Sequence, residues 1–403
     1  MSGNDYIVFG KPYVGEEEIA EVVDTLRSGW LGTGPKTARF EEAFRTYVGS
    51  THAASVGSCT AALFLCQKAL GIGPGDAVIT SPLTFVATAN SVHHTGARPL
   101  FVDVTPDRGL LDPAAVERLL KEDCAIAADG AVFHRGSGAR VRAILPVHLW
   151  GQAADMTSFR RLADRYNLYL VGDAAHAVET TIDGTNVGRL ADFTCYSFYS
   201  TKNVCTAEGG MVVTDQEALV ERIRILRQHG QNRDAWKRFS SSGYQHYLAT
   251  EIGWKFNLTD LQSALGLHQL ARIEKMHARR QEQWNRYNAL LATLPGLVCP
   301  PAAENGTRHA LHLYTVRIAS GSAWRRDDLM EELHKRGIGT GVHYLAVSEH
   351  PIYATAMNTP VPNALQIGRE TMSLPLGGAL TLEQQTRVID TLAELMTSRP
   401  LPP

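Results

Sequence analysis

A chain of 403 residues, 44% hydrophobic and 20% charged, holds enough material for one large domain and a smaller one, in the range of soluble globular enzymes. A net charge of -2 gives no electrostatic basis for binding nucleic acid or an anionic membrane; no stretch has the length of a membrane span, and the N-terminus is polar without an apolar leader. Six cysteines (Cys59, Cys66, Cys124, Cys195, Cys205 and Cys299) show no C-x-x-C pairing of the metal-binding kind, and several sit in apolar runs, which predicts reduced, buried thiols in the cytoplasm.

In chain order, residues 1–35 read as an N-terminal arm, with an amphipathic helix over Glu16 to Leu26 and a glycine-rich loop from Ser28 to Pro35. Residues 36–260 alternate short apolar runs with helical patterns, the signature of an α/β domain built on an open, mostly parallel sheet. Seven strands are expected: Ala53–Val56, Ala77–Thr80, Arg98–Asp103, Ala143–Val147, Leu168–Gly172, Phe193–Phe198 and Met211–Thr214. The segment from Lys121 to Arg142 is polar and carries glycines, and reads as a variable surface excursion. From Thr259 the pattern predicts one long helix, with Leu261, Leu265, Leu270 and Ile273 on or near one face. Residues 261–403 comprise this linking helix and a smaller C-terminal α/β domain. That domain contains a strand region at Leu311–Ile318, a helix around Asp327–Lys335 and a final helix from Leu382.

Three places carry chemistry. The buried aromatic run Phe193 to Phe198 breaks into a small polar loop that ends in Lys202, and Gly209-Gly210 opens the next strand. A lysine at that position has its stem fixed by packing and its amine aimed at a cavity, where a neutral amine attacks a carbonyl to form a Schiff base. Upstream, the apolar strand Leu168 to Gly172 ends in Asp173-Ala174-Ala175-His176; alone, Asp173 reads as a helix N-cap after a βα turn. Further upstream, His52 to Gly57 runs into Ser58-Cys59-Thr60 at a helix start. Free amides, a positive dipole and two hydroxyls there favour a phosphate. In an open α/β sheet, ligands lie off the carboxyl ends of the strands, so Ser58, Phe85, Asp173 and Lys202 can share one crevice. Together they are the protein side of a pyridoxal 5'-phosphate site.

These residues, with Gly29 to Pro35, Gly73 to Asp76, Ser81 to Thr88, Gly253 to Asp260, Gly337 to Tyr344 and Leu374 to Leu376, resemble the DegT-type sugar aminotransferases over nearly the whole chain. Lys255-Phe256-Asn257 and Thr340 to His343 are most similar to the branch that makes 4-amino-4-deoxy-L-arabinose on UDP. The resemblance implies the fold of type I pyridoxal-phosphate aminotransferases. It implies amino transfer from glutamate to a nucleotide-linked keto sugar, with a 4-keto group, through a Lys202 Schiff base. Asp173 would keep the pyridine nitrogen protonated, because a nearby opposite charge favours the charged form. Phe85 would stack on the ring, and His176 would meet the ring hydroxyl or face. Ser58, Cys59, Thr60 and Ser197 would hold the phosphate. Thr33, Arg233, His343 and Tyr344 would line the substrate. The resemblance also implies a homodimer with shared sites, in which Lys255 or Asn257 of one subunit reaches the other's cofactor phosphate. Many members carry asparagine at the position of Lys255 and a basic residue at that of Asn257, so the pair stays open between them. Two other readings compete: the same chemistry on a keto-cyclitol or another secondary-metabolite carbonyl, and a catalytically silent cofactor-binding regulator. An intact Lys202 argues against silence, and against the family's dehydratase branch, which has histidine at the lysine position.

Overall fold

The computed structural model describes residues 6–231, 248–354 and 359–399. Helix α1 (Glu16–Ser28) opens on three glutamates that complement its dipole and stops at Gly29 in the left-handed region, φ 77°. Helix α2 (Pro35–Val48) begins on proline, whose missing N–H is one the helix start leaves unused, and ends at Gly49. The chain then alternates through β1 (His52–Val56), α3 (Cys59–Ala69), β2 (Asp76–Thr80), α4 (Val86–His94), β3 (Arg98–Phe101) and α5 (Pro113–Glu122). It continues through β4 (Cys124–Ile126), β5 (Val132–His134), β6 (Arg140–Leu145), α6 (Met156–Arg165) and β7 (Tyr169–Asp173). The short pair β8 (Thr181–Ile182) and β9 (Thr185–Asn186) precedes β10 (Phe193–Ser197), β11 (Gly210–Thr214) and α7 (Glu217–Leu226).

Among the described residues these strands form a nine-stranded sheet with the path β1-β11-β10-β7-β6-β2-β3, and β4 and β5 attached beside β6. From β10 to β3 every pairing along the path is parallel, while β11 runs antiparallel to both its neighbours, β1 and β10. All seven expected strands are present. The surface excursion expected between Lys121 and Arg142 instead folds as the antiparallel pair β4–β5, and β5 adds on to β6. Its buried strand residues, Cys124, Val132 and His134, are too few to give a periodic signal.

Alternation along each strand feeds two cores, as the two-residue period requires. Val78, Val171, Cys195 and Val212 pack under α3 and α7. Ala77, Ile79, Ile144 and Leu170 pack with α5 and α6, and Tyr196, Met211 and Val213 with α2. The helix expected from Thr259 is broken in two, α8 (Asp260–Ala271) and α9 (Ile273–Leu291), at Arg272, which leaves helical geometry with ψ 10°. Arg272 bonds the buried Glu18 and lies over the Tyr13 ring, so the break is tied to the arm. Of the four apolar residues expected on one face, Leu270 and Ile273 are buried while Leu261 and Leu265 are only partly so. The contact with α2 is made through Gly266, where an added Cβ would lie 2.6 Å from the Phe40 ring.

The remainder comprises β12 (Leu297–Val298), β13 (Thr307–Arg308), β14 (Tyr314–Ile318), α10 (Arg326–Lys335), α11 (Pro362–Glu370), β15 (Thr371–Leu374) and α12 (Leu382–Thr397). The antiparallel sheet β12-β14-β15 shares a separate core with α9, α10 and α12, through Tyr287, Val316, Leu329, Met372 and Leu392. Ile7 of the arm joins this C-terminal core. No helix of the described residues is long and apolar enough to cross a membrane.

Candidate active site

The carboxyl ends of β1, β2, β7 and β10 open onto one cavity of about 590 Å³. Ser58, Cys59, Thr60, Phe85, Asp173, His176, Ser197, Lys202, His343 and Tyr344 all line it, so ten of the residues singled out from the sequence meet in one place. Arg233 lies outside the described residues. Thr33, Lys255 and Asn257 do not line this cavity.

Asp173 ends β7 and is 5% exposed. Its Oδ2 accepts from the Thr88 hydroxyl at 2.8 Å and its Oδ1 from the Ala175 amide at 3.1 Å. Burial pushes its carboxyl above the usual range, while these two donors and the Lys202 charge act the other way. Burial also lowers the Lys202 ammonium to about 8, against the opposing pull of Cys59 and Asp173. A substantial share of the amine is therefore neutral near physiological pH, which is what attack on a carbonyl needs.

The phosphate seat is the start of α3. The Ser58 hydroxyl accepts from the Ala61 amide at 3.1 Å, and the first intrahelical bond runs from the Ala62 amide to the Ser58 carbonyl. The amides of Cys59 and Thr60 precede that bond, so the helix itself leaves them for an anion. Gly210 begins β11 directly against this turn: a Cβ there would lie 2.6 Å from the Ser58 carbonyl carbon.

His176 is oriented by the backbone, because its Nδ1 accepts from the Trp150 amide at 3.1 Å. Nε2 therefore carries the ring proton and donates to the Tyr344 hydroxyl at 3.0 Å. Burial holds this ring well below the ordinary histidine range, so it stays neutral. His343 bonds Ser373 at 2.9 Å through Nδ1 and stacks on Phe9; burial lowers it to about 3. Sequence reasoning missed Thr88, which sits one helical turn beyond Thr84, and His312, whose ring lies 4.6 Å from that of His176. Thr88 falls inside the recognised Ser81 to Thr88 stretch; His312 lies in an apolar run and gave no local signal.

Thr33, Asn257 and Asp260 form a second cluster. The Thr33 hydroxyl donates to the Leu258 carbonyl at 2.5 Å and accepts from the Asn257 amide at 2.6 Å. The buried Asp260 carboxylate accepts from the amides of Gly34, Lys36 and Thr37 and from the Thr37 hydroxyl, at 2.7 to 3.0 Å. It caps α2 and fixes the glycine-rich loop at once. Lys255 Nζ donates to the Gln228 side-chain oxygen, Oε1, at 3.3 Å.

The donor set suits pyridoxal phosphate. A buried carboxylate whose close partners are neutral awaits a cationic ring nitrogen, an amine of lowered pKa shares its cavity, and helix-start amides await an anion. Comparison with known proteins agrees. Residues 12–393 match the DegT/DnrJ/EryC1/StrS aminotransferase family. The chain is 41% identical over 398 residues to the spore coat polysaccharide biosynthesis protein SpsC of Bacillus subtilis, covering 98% of each chain. DesV of S. venezuelae, solved with a ketimine intermediate, is 35% identical with a TM-score of 0.82, covering 96% of this chain and 95% of that one. The putative sugar aminotransferase Spr1654 of Streptococcus pneumoniae, solved in its PMP form, is 30% identical with a TM-score of 0.86, covering 97% of this chain and 99% of that one. The chain belongs to the DegT/DnrJ/EryC1/StrS family and is a pyridoxal-phosphate-dependent aminotransferase.

Proposed function

We propose that this aminotransferase moves an amino group from glutamate to the 4-keto group of a nucleotide-linked sugar, in a cytoplasmic homodimer with shared active sites. The observation that carries the reading is the cavity itself: Asp173 and Lys202 are its buried charged groups, and Phe85, Tyr199, His343 and Tyr344 give it an aromatic and hydroxyl-bearing wall suited to a ring with many hydroxyls. The name of Spr1654 gives a sugar as that protein's substrate, and that of SpsC places it in polysaccharide biosynthesis. Six unpaired cysteines accord with a reducing compartment.

Pyridoxal phosphate, when bound, supplies a carbonyl carbon that takes up the amine and a ring that draws in electrons as the C–H bond breaks. The chain's residues do the rest. The amides of Cys59 and Thr60 and the Ser197 hydroxyl hold the phosphate, and Asp173 keeps a proton on the ring nitrogen. Lys202 would take a proton from the substrate carbon and deliver it to the cofactor carbon, as base and then acid. A group that titrates near 8 does both close to neutral pH.

Support for the dimer comes from the second cluster. Thr33, Lys255 and Asn257 stand outside their own cavity, and the same two segments expose Trp30, Leu31 and Ile252. A second copy covering them would place Lys255 or Asn257 at its own phosphate seat. Among the described residues, Lys202 is the only lysine or arginine lining the cavity, so a phosphate there gains most from a cation brought by the neighbour.

Mass spectrometry of products from a panel of nucleotide-linked keto sugars and keto-cyclitols, with glutamate as donor, tests the substrate. Amination confined to cyclitols, or absent for every nucleotide sugar, overturns the reading.

A further inference from the structure

Glu179, Asn203 and His312 have no part in the chemistry assigned so far, yet they bond in series. Glu179 is 1% exposed and pairs with Arg280 of α9, itself 3% exposed. The Asn203 side-chain nitrogen donates to both Glu179 oxygens, at 3.1 and 2.9 Å, and to the Ala310 carbonyl at 2.9 Å. Its Oδ1 lies 3.1 Å from His312 Nδ1. Asn203 directly follows Lys202, and His312 lines the cavity.

The orientation along this series is forced. A carboxylate held by arginine and a backbone carbonyl can only accept, so the NH2 end of Asn203 must face them. Its oxygen then faces His312, whose Nδ1 must carry the proton. A neutral imidazole so arranged has a bare Nε2. The neighbouring His176 is set the opposite way, with Nδ1 bare against the Trp150 amide and Nε2 protonated toward Tyr344.

We propose that Glu179 and Asn203 are positioning residues that hold His312 protonated at Nδ1, so that its bare Nε2 is a fixed hydrogen-bond acceptor in the cavity for an N–H or O–H of the bound substrate. Burial and the Lys202 charge keep the His312 ring well below its ordinary range, so the arrangement persists at physiological pH. The inference concerns the wall of the cavity and is independent of which sugar enters.

The test reads the tautomer directly. Cofactor-free protein labelled with 15N in its histidine rings gives a separate pattern for each tautomer, and His312→Gln identifies the His312 signals. The expected pattern is a protonated Nδ1 and a bare Nε2 at neutral pH. Asn203→Leu should convert it to the other tautomer or a mixture, with circular dichroism unchanged. A wild-type His312 protonated at Nε2 overturns the proposal without any variant having to fold. In the loaded enzyme, single-turnover conversion by glutamate should slow about 10-fold or more in Asn203→Leu and in His312→Leu, the scale of a lost bond to a polar partner. Because Asn203 acts through His312, the double variant should be no slower than His312→Leu alone. Equal additional slowing in the double variant would mean Asn203 acts elsewhere. If glutamate fails to convert the wild type, the donor assigned under the proposed function falls, and the tautomer measurement alone decides this one.

Discussion

Burial sets the protonation of Lys202 and Asp173, and the charge of each acts against it on the other; the first two predictions follow from that. Lys202→Ala should abolish turnover while leaving the fold intact, and borohydride reduction of the wild type should fix the cofactor on Lys202; an adduct on a different lysine refutes the assignment. The amine loses its proton near 8, so the rate at which cofactor-free protein captures pyridoxal phosphate should rise with pH and level off above that value. Asp173 raises the Lys202 pKa by its charge. Asp173→Asn should therefore move the midpoint of that profile to lower pH, while slowing catalysis by orders of magnitude. A midpoint that stays put means the two groups do not interact. The stability sign is equally defined. Burial depresses the folded pKa of Lys202 below its unfolded value of 10.5, so the cost of the buried charge is full below about 8 and is relieved as pH rises toward 10.5. The cofactor-free protein should gain stability across that window relative to Lys202→Met. These two residues were legible in the sequence because Asp173 closes one apolar strand and Lys202 stands in the small polar loop after another. Glu179 was not. An isolated glutamate reads as a solvated charge, and its partner Arg280 is 101 positions away, a distance no local pattern spans.

At the scale of elements, the approach of β11 to the start of α3 is a contact with no room for a side chain. Gly210→Ala would force its methyl to within 2.6 Å of backbone at Ser58, which must then shift. A loss of about 1–3 kcal/mol in stability is expected from such overpacking. Because the shift falls on the phosphate seat, cofactor affinity should drop with it; thermal unfolding with and without pyridoxal phosphate separates the two effects. Unchanged affinity would show that the seat tolerates the displacement. The glycine pair was visible in the sequence as the opening of a strand, but the reason for it was not, since the clash involves the turn at Ser58, far upstream in the chain. The seven expected strands were legible as short apolar runs between helical patterns, because most are buried on both faces. The short pair β4–β5 and the break at Arg272 were not: the first buries too little to show a period, and the second is set by the tertiary grip of Glu18 and Tyr13 on one arginine.

For the whole molecule, the prediction is complementation. Lys202→Ala subunits and subunits altered at both Lys255 and Asn257 should each be inactive, and activity should partly return after subunit exchange, because a mixed dimer rebuilds one intact pocket. Exchange without recovery, or an active species that sediments as a monomer, refutes shared sites. The Asp260 clamp bears on how such a dimer comes together. One carboxylate already holds the glycine-rich loop through the amides of Gly34, Lys36 and Thr37, and Asn257 is already bonded to Thr33. The surface offered to a second copy is thus organised within each subunit before contact. Little chain entropy remains to be lost on docking, so association should proceed at the rate of rigid surfaces meeting, with a small heat-capacity change for the area covered and no accompanying gain in helix content.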